Sequence, residues 1–151
     1  MTIEPLCKEQ IEKALPMVWD VFCKYEAVNY SESGIDAFRE AIHDPRYIQM
    51  LTAYGAFEEG QIVGVVATRS NGSHIALFFV KGEYHRRGIG RKLMEECLAN
   101  SSSDRITVNS SEYAVRIYER LGFVRTDELK EESGIRYVPM EYIKARVIPG
   151  R

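Results

Sequence analysis

The 151-residue chain predicts an α/β (α+β) domain in which one mixed central β-sheet is flanked by helices. Three observations lead there. Apolar residues recur three and four apart at Ile11, Leu15, Val18, Phe22 and Tyr25, as on the buried face of a helix. Compact apolar runs bounded by turn residues fill the middle of the chain, as in strands. Helical and strand patterns then alternate towards the C-terminus, the order that layers helices on a sheet.

Taken in order, Thr2 to Leu6 reads as an edge strand whose Pro5 limits pairing. A helix follows over roughly Lys8 to Val28, with Pro16 marking either a kink or the start of a second helical segment. Ser31 or Ser33 can cap the next helix, which carries Ile35, Phe38, Ala41 and Ile42 and stops near His43-Asp44-Pro45. Tyr47 to Leu51 fits no single pattern. Leu51 to Phe57 and Ile62 to Thr68 flank Glu58-Glu59-Gly60-Gln61 as a β-hairpin, and Asn71-Gly72 turns the chain into the strand His74 to Val80. A helix over Gly88 to Asn100, a strand over Arg105 to Asn109 and a helix capped by Ser110 or Ser111 and ended by Gly122 come next. Phe123 to Thr126 and Ile135 to Tyr142 form a closing strand pair across the charged loop Asp127 to Gly134, and 144–151 is read as a tail. The whole of 1–151 is expected to be one domain.

A net charge of −2 and a pI near 6.0 argue against nucleic acid or an anionic membrane as partner. Cys7, Cys23 and Cys97 are odd in number and widely spaced, so neither a disulfide framework nor a thiolate metal site is expected. Cys97 falls in phase with Ile89 and Leu93 and reads as packing. With no signal segment and no long apolar run, the expectation is a cytoplasmic protein.

The chemistry concentrates in Leu77 to Lys92, where an apolar strand runs into a basic glycine-bearing loop and then a helix. A helix start holds unpaired N–H groups and partial positive charge, so such a junction favours phosphate. Gly88 and Gly90 let the backbone come close, and Arg86, Arg87, Arg91 and Lys92 add full charges. No Gly-Lys-Ser/Thr follows for a nucleoside-triphosphate loop, nor a third glycine at dinucleotide spacing.

His85-Arg86-Arg87-Gly88-Ile89-Gly90 resembles the acyl-CoA pyrophosphate loop of the GCN5-related N-acetyltransferases, or GNAT family, and Ala114 to Phe123 is similar to the family's later helix-to-strand motif. His85 stands where the family usually has Gln or Arg. The resemblance implies an acetyl-CoA-dependent N-acetyltransferase that needs no metal and acts on a small-molecule or peptide amine in a ternary complex. The alternative is an acyl-CoA-binding module without turnover. It further implies that Phe78 and Val80, with Phe79 between them, hold the pantetheine arm through backbone bonds. Arg86, Gly88, Gly90 and Arg91 then match pyrophosphate-contacting positions, with Arg87 and Ile89 offering amides. Tyr118 matches the tyrosine that protonates the departing thiolate. Asn109 is placed either to bond pantetheine or to cap the following helix, and Tyr113 to shield the CoA arm. Homodimers are common in the family.

For the general base, strand alternation puts positions 74, 76 and 78 on one face, which leaves His74 roughly 13 Å from the acetyl position at ~3.3 Å per residue, within reach through water. Glu26, Glu32 and Asp36 fall in the first two helices, which in this family form the acceptor wall; they could select a cationic amine.

Overall fold

The computed structural model describes residues 1–145, so the expected tail is covered only at Lys144 and Ala145, and 146–151 lie outside the described residues. β1 (Thr2–Leu6) leads into α1 (Lys8–Tyr25), α2 (Glu32–Ile42) and α3 (Pro45–Gln49). β2 (Thr52–Glu58), β3 (Gln61–Arg69) and β4 (His74–Val80) follow, then α4 (Ile89–Asn100), β5 (Arg105–Ser110) and α5 (Val115–Arg120). β6 (Val124–Arg125), β7 (Lys130–Glu132) and β8 (Ile135–Ile143) complete the order. The strands lie in the order β1-β2-β3-β4-β5-β8-β6, with β7 paired to β8. Among the described residues only β4 and β5 run parallel, and α4 makes the crossover that a parallel pair requires.

The sheet is covered on both faces. On one, α1 and its neighbours bury Ile11, Leu15, Val18 and Phe22 against Val65, Ala67, Leu77 and Phe79. On the other, α4 and α5 bury Ile89, Leu93, Cys97 and Tyr118 against Val63, Val66, Ile75 and Ile106. Phe22 anchors the first face, stacked on Phe38 at 4.2 Å and edge-on to Tyr30 at 4.8 Å between ring centroids.

Several boundaries differ from the sequence expectation for identifiable reasons. α1 is a single helix through Pro16, which lies on the exposed face where the carbonyl it cannot serve meets water. It ends at Tyr25 rather than Val28 because the chain tightens into a 3-10 turn at Ala27–Asn29. The ambiguous stretch after Asp44 is α3, with Pro45 in the first turn and the Asp44 carboxylate accepting from the Arg46 N–H at 2.9 Å. Lys8 secures its far end, donating to the carbonyls of Ile48, Gln49 and Leu51. The charged loop expected over Asp127 to Gly134 contains β7, turned back onto β8 through Ser133 and Gly134, both at positive φ.

The irregularity that matters for the site lies in β4. Leu77 opposes Ala67 and Ile75 opposes Thr68, so Ala76 has no partner on β3 and forms a β-bulge. The bulge inverts the alternation. Ile75, Phe78 and Val80 pack with the α4 face, whereas Ala76, Leu77 and Phe79 pack with the α1 face. Positions 76 and 78 therefore do not share a face, contrary to the alternation expected from the sequence. At the same point β4 leaves β5, to which it is paired only at His74–Thr107 and Ile75–Val108.

Candidate functional site

The parting of β4 and β5 opens a cleft of about 770 Å³ lined from four directions. Phe78, Phe79 and Val80 come from β4, Tyr25 and Glu26 from the end of α1, the loop before α4 supplies the anion end, and Tyr113, Arg116, Ile117 and Arg120 come from α5 and its approach. Beyond Ile75 the β4 edge that would face β5 has no strand beside it. Such an edge offers main-chain N–H and C=O groups to an extended ligand.

At the end of β4 the chain passes through a 3-10 turn at Gly82–Tyr84. Arg86 and Gly88 then take positive φ of 63° and 79°. Glycine accepts this freely, whereas for Arg86 it costs on the order of 1 kcal/mol. Alternating the hand of successive residues turns N–H groups towards one side, which gives a concavity suited to an anion just ahead of the α4 start. A Cβ on Gly88 would meet no protein atom within 4 Å, so its requirement is conformational. A Cβ on Gly90 would sit 3.2 Å from Phe78 Cζ, so here the requirement is close packing of helix on strand.

His85 has a defined role. Its Nε2–H donates to the carbonyl of Val80 at 2.6 Å, and its ring lies 5.0 Å from that of Tyr25. The side chain closes the loop back onto the strand it left. Tyr25 in turn stacks on Tyr113 at 5.5 Å and 21°, so the aromatic group spans the cleft from α1 to the approach of α5.

Tyr118 is 6 % exposed, between Phe78 at 5.7 Å and Phe123 at 5.3 Å. Its hydroxyl has no hydrogen bond from the described residues, and no sealed side-chain polar atom among them lacks a partner, so the small exposure of Tyr118 includes that oxygen. Burial pushes the phenol above its usual range, and the charges of Glu26, Cys97 and Tyr30 add to the effect. Burial also pushes the Cys97 thiol up to about 11, which keeps it protonated and makes it packing rather than nucleophile.

The structure gathers most of the sequence-derived site residues and separates two. Phe78, Phe79, Val80, Arg86, Gly88, Ile89, Gly90, Arg91 and Tyr113 line the cleft, and Tyr118 does not line it but packs against Phe78, which does. The Arg87 guanidinium lies 5.1 Å from the ring centroid of Tyr84, which lines the cleft, while the expectation for Arg87 concerns its amide. Asn109 is exposed on β5 opposite Pro139 of β8 and does not line the cleft. His74 lines a separate concavity with Arg69, Asn71 and Thr107. Its Nδ1 is 2.8 Å from the Thr107 hydroxyl, and burial, with Arg69 nearby, holds its pKa below the usual value. The bulge at Ala76 is the reason its side chain and that of Phe78 part company. Of the three acidic residues expected along an acceptor wall, only Glu26 reaches the cleft; Asp36 pairs with Arg39 on the exposed side of α2.

Tyr25, Arg116 and Arg120 are cleft residues the sequence did not single out. The spacing of Arg116 and Arg120, one helical turn apart beside Tyr118, is the local signal that could have found them. For Tyr25 there is none, since packing of α1 over β4 brings it there.

The family profile described as an acetyltransferase (GNAT) domain matches residues 26–144, more than half of the chain. The chain belongs to the GNAT acetyltransferase family. Solved structures agree on the fold. A GCN5-related N-acetyltransferase from Rhodopseudomonas palustris superposes with TM-score 0.79 at 18% identity, covering 94% of each chain. The PaiA N-acetyltransferase of Thermoplasma acidophilum, solved in complex with coenzyme A, gives 0.72 at 19%, covering 95% of this chain and 99% of that one. Tetrahymena GCN5 gives 0.66 at 12%, covering 98% and 99%.

Proposed function

We propose that this protein transfers an acetyl group from acetyl-CoA to a primary amine of a small molecule or peptide, by direct attack within a ternary complex. The observation that carries this is the β4–β5 parting, which leads an unpaired strand edge towards the glycine-bearing start of α4, with Tyr118 packed against Phe78 of that edge. An acyl thioester on a long pantetheine arm ending in pyrophosphate needs those features in that order. The Thermoplasma relative, solved with coenzyme A, supports the choice of donor.

In this reading Phe78 and Val80 bond the arm through their backbones, and the amides around Gly88 to Gly90 take the pyrophosphate together with Arg86 and Arg91. The amine nitrogen attacks the thioester carbon, the C–N bond forms, and the C–S bond breaks as the carbonyl re-forms. Tyr118 donates a proton to the departing sulfur and regains one from the nitrogen, which must lose it to become an amide. A free thiol titrates near about 8.5, below even an ordinary phenol, so full transfer from Tyr118 alone is uphill. The relay therefore has Tyr118 giving and recovering its proton in step. The test is release of CoA thiol from acetyl-CoA in the presence of an amine panel spanning small amines, polyamines, amino acids and peptides. Amine-dependent thiol release with an acetylated product is expected. Tight CoA binding with no turnover on any acceptor would replace this reading with that of a CoA-binding module.

A further inference from the structure

We propose that Glu26 is the catalytic base, the residue that takes the proton from the acceptor ammonium before attack. This deepens the acetyltransferase reading and rests on it. Four observations converge. Glu26 is the one acidic side chain lining the cleft among the described residues, and it faces a wall that also carries Arg86, Arg91, Arg116 and Arg120. A cleft with cations along its walls and a single carboxylate at the end of α1 is polarised for an anionic donor and a cationic acceptor. Second, the position is a poor one for stability. Glu26 is the C-cap of α1, where the helix dipole disfavours negative charge, it is half-buried, and no described residue forms an ion pair with it.

Third, the negative charge of Glu26 acts on Tyr118, adding to the burial that raises the phenol's pKa. Its electrostatic neighbours are the Ser111 hydroxyl just after β5, Tyr30 on the turn after α1, Tyr113 on the approach to α5 and Tyr118 on α5, and Arg86 of the loop lines the same cleft. Burial holds the Glu26 carboxyl above the usual range, partly offset by Ser111. Fourth, the other common bases are committed elsewhere. The chain has three histidines. His85 is held by the Val80 carbonyl, His43 lies 2.7 Å from the Arg39 carbonyl on α2, and His74 sits in its own concavity beside Thr107.

The proton inventory closes. The bound ammonium passes one proton to the Glu26 carboxylate, directly or through one water, and becomes a neutral amine. Attack, C–S cleavage and the Tyr118 relay then yield amide and CoA thiol, and Glu26 returns its proton to solvent. One ammonium and one thioester give one amide, one thiol and one proton.

The experiment uses the full chain. Wild-type kcat/KM for the amine that gives turnover should show an acid limb above the usual carboxylate range. Glu26→Gln should lower kcat/KM by about 10²–10⁴-fold and abolish that limb, Glu26→Asp should recover part of the rate, and CoA affinity measured by calorimetry should stay within about twofold. A readout free of substrate accompanies it. Because the folded carboxyl binds its proton more tightly than the unfolded one, native stability falls as pH rises from the usual glutamate range through the folded pKa. Glu26→Gln should remove that fall and raise Tm at about pH 8. An active wild type with an unaffected Glu26→Gln variant overturns this assignment and leaves the acetyltransferase reading standing. A Glu26→Gln variant with lowered Tm and lost CoA binding also overturns it, showing a structural residue. A wild type that binds CoA yet turns over no amine sinks both readings before any variant is made.

Discussion

Replacing Tyr118 by Phe separates chemistry from architecture. The ring is held by Phe78 and Phe123, and those contacts survive the substitution. The hydroxyl has no hydrogen-bond partner among the described residues, so removing it orphans no donor or acceptor, and the large penalty for a broken buried hydrogen bond does not arise. Stability should therefore change by less than about 1 kcal/mol, which in a chain of this size is a Tm shift of no more than about 2–4 °C. Loss of the proton relay, in contrast, should lower kcat by about 10²-fold or more. Thermal unfolding, CoA titration and thiol release on the same preparation provide the three readouts. A Tyr118→Phe protein with unchanged Tm and CoA affinity and strongly reduced kcat is the expected result. Equal losses in stability, binding and rate would refute the reasoning and make the tyrosine a core residue only.

Gly88→Ala places a Cβ in open space at φ +79°; it should cost about 1 kcal/mol in urea-unfolding experiments, while Gly88→Glu should in addition weaken CoA binding by setting a carboxylate in the anion seat. His85→Ala leaves the Val80 carbonyl without its donor, which should destabilise by about 1–3 kcal/mol and loosen CoA binding, with His85→Gln recovering part of both. Phe22→Ala, at a residue with 0% exposure stacked on Phe38, should lower unfolding free energy by about 3–5 kcal/mol. His74 has a folded pKa below its usual value, so its stabilisation is present above the unfolded pKa of about 6.5 and is lost as pH falls below it; His74→Gln should flatten that acid-side loss in a Tm-against-pH series and leave kcat within about twofold.

By itself the sequence determined the glycine-bearing start of α4, the family motif around it and the order of the main elements, though not α3 or β7. These are local properties: a glycine that takes positive φ, arginines clustered at a helix start, and apolar periodicity are all written within a dozen residues. What only the tertiary structure decided was where β4 turns over. One extra residue at Ala76 inverts the facing of everything before it, which turns His74 from the face that carries Phe78, at the point where β4 leaves β5. No local signal marks that bulge, since Ala76 is an ordinary strand residue whose lack of a partner depends on the register of β3. Glu26 has the same origin. Its sequence neighbours describe the end of a helix, and it acquires significance because α1 packs across β4 and carries that end into the cleft.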